Sequence, residues 1–340
     1  MAANSSGGGK AWQRVYAWIA KIPATWLLVL PVLLLAPTIT SFPYPSLEAA
    51  YSDLTISHYP NAIYLRGAIA SRGEIPLWSS TIMGGYPFAA NPLSGLWYPP
   101  GWLALLLPLP LGFNLLIGVH LVWGSIGVYK LLRAEGLGLP GSLLAGLSFG
   151  MLPKMFAHYG AGHLTLLYAV PWTPWLLLCQ RKYSAKEGRA SIPPGLVLAL
   201  IFLVDVRGGA FALLTWWAYA LSHLPRGWGV QVKQLAWQTA LALLIAAPQL
   251  LPLIEFSALS TRAELTAADV LERSLPVPSL LGLLLPNTGT IHEWVLYTGG
   301  TVLLLALGGL LLSSLKRCLL YTSPSPRDQR EHLVCRLLLE

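Results

Sequence analysis

Eight apolar runs divide this chain, at 24–42, 112–132, 141–157, 164–180, 192–206, 208–224, 234–254 and 295–315. A bilayer core of about 30 Å is crossed by about 20 apolar residues in a helix. A segment in lipid must satisfy its own backbone hydrogen bonds, so such runs are committed to helices. Composition points the same way. Of 340 residues, 55% are hydrophobic and only 11% charged, against about 25% charged in soluble domains. A soluble globule of this length has no interior large enough to hide that surface. The expected fold is all-α: a polytopic transmembrane helix bundle of about eight spans. The fifth and sixth runs are short and read as a tight pair. A further apolar piece, Trp97–Pro110, carries four prolines and reads as a re-entrant or membrane-surface piece.

Charge orients the bundle. With the N-terminus cytoplasmic, thirteen lysines and arginines fall in the inside loops. Five fall outside: Arg66, Arg72, Arg207, Arg262 and Arg273. This is the positive-inside asymmetry. Acids show the opposite bias, with only Glu135 and Glu187 inside. The long loops, 43–111 and 255–294, are both outside. Long irregular loops in compact proteins usually carry function, so chemistry is expected on the extracytoplasmic face. The expected organisation is a first span at 24–42, a large extracytoplasmic loop at 43–111, a helix bundle at 112–254, a second loop at 255–294 and a last span at 295–315.

Several function classes are set aside. The net charge of +8 is spread over short loops and forms no single patch, so nucleic acid is not an expected partner. The three cysteines make neither a disulfide framework nor a zinc spacing. Residues 1–21 are polar and basic, and the apolar run that follows has no cleavage pattern, so it reads as a retained helix. P-loop, dinucleotide-binding glycine, H-E-x-x-H and G-x-S-x-G motifs are absent.

Candidate chemistry concentrates in the first loop, Tyr51–Pro100. Asp53, in Y-S-D-L just past the first span, is the first candidate, because ionisable groups at the membrane boundary are functional by default. It reads either as a base that takes a proton from an acceptor hydroxyl or as the cap of a helix over Leu54–Arg66. Glu48 lies close by and could cap or pair. His58 and Tyr59 follow; five residues separate Asp53 from His58, so in an α-helix they share a face only loosely, and His58 reads as a satisfied surface histidine, with a hydrogen bond to a phosphate or to the acid as the alternative. Arg66 and Arg72 have the forked donors that hold phosphate, or serve as partners for Glu74. His158 and His163 bracket the turn H-Y-G-A-G-H, a weak metal signal without a nearby carboxylate and a candidate substrate contact. Asp205 and Arg207, in D-V-R, read as a self-satisfied pair or a cavity lining. Glu255 and Arg262 open the second outside loop, and Arg262 reads as a phosphate donor or a loop ion pair. Trp78, Tyr86, Trp97, Tyr98 and Trp102 read as interfacial aromatics, with stacking on a sugar ring as the alternative.

The run S-D-L-x4-Y-P, then R-G-E-I-P-L-W, G-G-Y-P-F-x-A-N-P and W-Y-P-P, resembles the YfhO family of bacterial membrane proteins. G-H-L-T-L-L-Y-A-V-P-W-x-P-W, A-A-P-Q-L-L-P-L-I-E-F-S-A-L-S-T-R and L-L-P-N-T-G followed by Y-T-G-G extend the resemblance, in order, over about 24–315. It implies a GT-C-like glycosyltransferase of the inner membrane. Such an enzyme passes a sugar from a polyprenyl-phosphate carrier to an extracytoplasmic glycan, lipid or protein, with inversion. It also implies that Asp53 is the essential acid of the first loop. Ser52 stands where the class has an adjacent acid, which leaves divalent-metal use open. The alternatives are a transporter or flippase, which would favour an internal repeat and mid-helix polar residues, and a non-catalytic assembly protein.

Cys318–Asp328, CLLYTSPSPRD, resembles a translated sequencing-library adapter. Residues 318–340 are therefore expected to be non-native, and the chain to be the N-terminal part of a longer protein. On that expectation the fragment lacks helices an active enzyme would use.

Overall fold

The computed structural model describes residues 25–41, 52–81, 84–184, 192–223, 228–271, 274–286 and 292–315. Glu48 and the 318–340 tail lie outside them. Among the described residues the chain is helical, without a β-strand; a single isolated bridge joins Ser79 and Tyr86. The chain divides into two compact units, 1–275 and 276–340.

In the first unit, α1 (Thr25–Leu35) leads to the first-loop helix α2 (Tyr59–Arg72), entered through a π-helical turn over Leu54–His58. A 3₁₀ segment, Pro99–Leu106, precedes α3 (Leu109–Ala134). Then come α4 (Leu139–Gly150), α5 (Pro153–Ala161), α6 (Leu164–Ala169), α7 (Thr173–Ser184), α8 (Pro194–Val204), α9 (Val206–Ser222), α10 (Trp228–Ala258) and the short α11 (Ala267–Leu271). The second unit holds α12 (Gly300–Leu315) after 3₁₀ turns at Val277–Leu283 and His292–Trp294.

Among the described residues, two helices are long and apolar enough to cross a membrane, α3 and α10. The other expected runs are helical but shorter or broken. The run 141–157 splits into α4 and α5, because Pro153 cannot donate to a carbonyl one turn back and restarts the helix. The run 164–180 is interrupted by the 3₁₀ turn Val170–Trp172 around Pro171. The runs 192–206 and 208–224 become α8 and α9, divided at Asp205.

α3 forms the centre of the bundle, and α8 is buried almost all round, as its uniform apolarity requires. α10 is built the other way. Its buried stripe is Gln231, Leu235, Gln238, Ala242, Ala246 and Gln249, while Trp237, Leu244, Leu251 and Ile254 are exposed. The C-terminal ends of α3, α7 and α9 meet: Glu135 takes a hydrogen bond from Tyr219 and faces Arg181 at 3.4 Å and His223 at 3.8 Å. The other end of the bundle gathers the first loop, the α5–α6 turn and the α8–α9 turn.

The first loop carries a small core of its own, Leu65, Phe88, Ala89 and Leu96. Asn61 links its parts, donating to Leu93 O (3.1 Å) and accepting from Tyr86 Oη (2.8 Å). Trp97 Nε1 donates to Ala89 O, and Tyr98 is buried at 3% exposure. Tyr86, Trp97 and Tyr98 are therefore internal struts and not interfacial belt residues, while Trp78 is exposed.

Candidate active site

Asp53 stands at the entrance of the π-helical turn, and Ser52 takes the capping role beside it. Ser52 Oγ accepts weakly from Thr55 N–H at 3.4 Å, and its carbonyl accepts from Thr55 Oγ1 at 2.9 Å. Asp53 makes no capping hydrogen bond, so the helix-cap reading of this acid does not hold. Its carboxylate, half exposed, instead lies 3.5 Å from His163 Nε2.

His163 arrives from a turn of defined geometry. α5 ends with Gly162 at φ 80°. Gly162 N–H bonds Tyr159 O (3.1 Å), and His163 N–H bonds His158 O (3.0 Å). This pair of bonds is the Schellman motif, which brings the residue after the left-handed glycine over the residue five before it. Here those two residues are histidines. Their Nδ1 atoms lie 2.9 Å apart, and the rings stack with centroids 5.0 Å apart. One tautomer set satisfies both contacts: His158 Nδ1–H donates to His163 Nδ1, and His163 Nε2–H donates to Asp53. Gly162 also packs on the first loop, since a Cβ there would run into the backbone nitrogen of Leu54. The same glycine thus shapes the turn and seats Asp53 beside it.

The wide turn explains the placement of His58. Pro60 has no N–H to offer Ile56, so a regular helical bond cannot close there. Instead Tyr59 N–H bonds Leu54 O in an i→i+5 ring. Residues five apart then stand nearer one face than in an α-helix, and such turns recur at functional sites. His58 points inward and is 4% exposed; the expectation of a surface histidine is corrected. Burial lowers its pKa to about 4; a hydrogen bond to the Leu93 carbonyl opposes this, and the field of His163 adds to the lowering. Asp205 and Arg207 also act on it through space. His58 is therefore neutral at pH 7 and supplies no positive charge for a phosphate.

Asp205 caps α9. Its carboxylate accepts from Gly208 N–H (2.8 Å), Thr165 Oγ1 (2.6 Å) and Arg207 Nη2 (3.2 Å), and it is 4% exposed. Arg207 is anchored by that contact while its side chain remains 68% exposed. It is a cation held at a helix N-terminus, the arrangement that suits an anion. Tyr59 packs half-buried against the main core. Arg66 reaches toward the Leu107 carbonyl at 3.5 Å, and Arg72 pairs with Glu74 at 3.6 Å. Arg262 falls in the 3₁₀ turn Thr261–Glu264, and its side chain lies outside the described residues.

Two participants were not among the residues singled out from the sequence. Thr165 orients Asp205, and Tyr168 lines a cavity beside His58. Compared with known protein families, curated proteins and solved structures, the chain matches none.

Proposed function

We infer that this protein is a multi-pass inner-membrane glycosyltransferase of GT-C type, akin to the YfhO family, working at its extracytoplasmic face. The observation that carries the reading is Asp53. It is a carboxylate released from helix capping, half exposed, and held by His163 at 3.5 Å. In that setting Asp53 takes the proton of the acceptor hydroxyl as its oxygen attacks the anomeric carbon. The bond to the carrier phosphate breaks, the polyprenyl phosphate leaves, and one displacement inverts the anomeric centre. His163 steadies the carboxylate through Nε2–H, and His158 fixes the tautomer of His163. Arg207 is the cation suited to the carrier phosphate.

The membrane part of the reading draws on α10, where Gln231, Gln238 and Gln249 face inward while Leu244, Leu251 and Ile254 face outward. In water that pattern is unfavourable; in lipid it is the expected one. The grouping of helix ends agrees with the charge-derived orientation, since Glu135, Arg181 and His223 share one end and Asp53, His163 and Arg207 the other.

The test is sugar transfer from polyprenyl-phosphate sugars in membranes carrying the full-length protein. Asp53→Asn is expected to reduce transfer by about 10²–10⁴-fold, the contribution typical of a general base. Glu74→Ala, which breaks only the pair with Arg72, is expected to leave transfer intact. Asp53→Asn transferring at the parent's rate would overturn the assignment.

A further inference from the structure

A cavity of about 50 Å³ lies beside His58, walled by Ala62, Leu65, Phe113 and Leu164 and closed on one side by Tyr168. The volume suits a few water-sized groups. Two polar atoms of its lining residues are buried and have no hydrogen-bond partner, His58 Nε2 and Tyr168 Oη. Their residues are 4% and 5% exposed. Leaving a buried polar atom unpaired is costly, so two of them among the lining residues of one cavity mark where the polar atoms of a ligand belong.

The remaining polar groups on the wall are taken. Tyr98 Oη pairs with His120 Nε2 at 2.7 Å and accepts from Trp172 Nε1 at 3.0 Å. Thr165 is spent on Asp205, and Ser94 Oγ accepts from Leu96 N–H. No aspartate, glutamate, lysine or arginine lines the cavity. His58 Nε2 has no partner, and a neutral imidazole carries one N–H and one acceptor nitrogen, so Nε2 can accept. Tyr168 offers a donor. A carboxylate entering here would bring only acceptors and find no cation. An ammonium would bring only donors and find no anion. A hydroxyl brings one of each: its O–H donates to His58 Nε2 and its oxygen accepts from Tyr168 Oη–H, while the walls receive the attached carbon.

We propose that the cavity between His58 and Tyr168 is a subsite for an uncharged, alcohol-bearing group and that it rejects the corresponding carboxylate. Its place in a transfer reaction rests on the function inferred above; its ligand chemistry does not. Within that reaction the alcohol has two sources, a hydroxymethyl arm of the donor sugar or a hydroxyl group of the acceptor.

Ligand-observed saturation-transfer NMR on the detergent-solubilised full-length protein tests this with glycerol and its oxidised counterpart, glycerate. Glycerol is expected to bind the parent and glycerate is not. Tyr168→Phe and His58→Phe are each expected to weaken glycerol binding by about tenfold. Tyr168→Phe removes an oxygen that is unpaired in the empty site, so its unfolding midpoint should not fall, which separates binding from folding. The proposal is overturned when the parent binds no glycerol, when both variants bind it as well as the parent, or when glycerate binds equally. In the transfer assay, a raised KM of Tyr168→Phe for the donor assigns the alcohol to the sugar, and one for the acceptor assigns it to the acceptor. An absence of transfer with the glycerol pattern intact would overturn the enzyme reading and keep the subsite.

Discussion

Asp53 and His58 sit on one turn and carry opposite instructions. Asp53 is half in water beside His163, while His58 is buried and kept neutral. The second has a measurable consequence. In the unfolded chain a histidine titrates near 6.5; in the fold His58 titrates at about 4. Between those values the unfolded state binds more protons, so stability is full above pH 6.5 and falls as pH drops toward 4. From pH 7 to pH 5 this one group accounts for about 2 kcal/mol. Unfolding midpoints measured across that range should decline for the parent, and the decline should be shallower for His58→Phe. Equal slopes would show that folding leaves the titration of this ring unchanged. The sequence marked both residues as candidates but placed His58 on the surface, because local pattern carries no information on which loop closes over a side chain.

At the scale of elements, two backbone devices build the site. The Schellman turn was legible: H-Y-G-A-G-H has glycine at the left-handed position and histidines at the two positions that meet. The π-helical turn was not, because an α-helical period of 3.6 puts Asp53 and His58 on different faces. The clue was Pro60, whose missing N–H removes the regular bond to Ile56. Gly162 joins the two devices. Gly162→Ala forces a side chain into a left-handed backbone and against Leu54, and should destabilise the fold by about 2–4 kcal/mol. It should also part Asp53 from His163, so transfer should fall even at temperatures where the variant stays folded. Gly73 is also left-handed, but a Cβ there meets nothing within 4 Å. Gly73→Ala should lose stability without losing transfer, and comparing the two by melting and turnover separates strain from misplacement of the acid.

For the whole molecule, the apolar runs located the helices, while their boundaries followed from Pro153, Pro171 and Asp205. The cavity between His58 and Tyr168 could not be read in advance, since it depends on residues more than a hundred positions apart meeting side to side. The orientation is testable by labelling. Of single cysteines at exposed Ser71, in the last turn of the first-loop helix, and at Ser222, near the Glu135 cluster, the first should react with an impermeant maleimide in intact cells and the second only after permeabilisation. Reaction of the Ser222 cysteine alone in intact cells would reverse which end faces out.

The central claim is that Asp53 drives sugar transfer at the outer face. The most direct measurement uses right-side-out vesicles of the full-length protein, supplied from outside with a water-soluble short-chain polyprenyl-phosphate sugar and a membrane-impermeant acceptor. Transfer with inverted anomeric configuration is expected, reduced by about 10²–10⁴-fold in Asp53→Asn and absent from inverted vesicles. Transfer by Asp53→Asn at the parent's rate, or transfer from inverted vesicles alone, would contradict it.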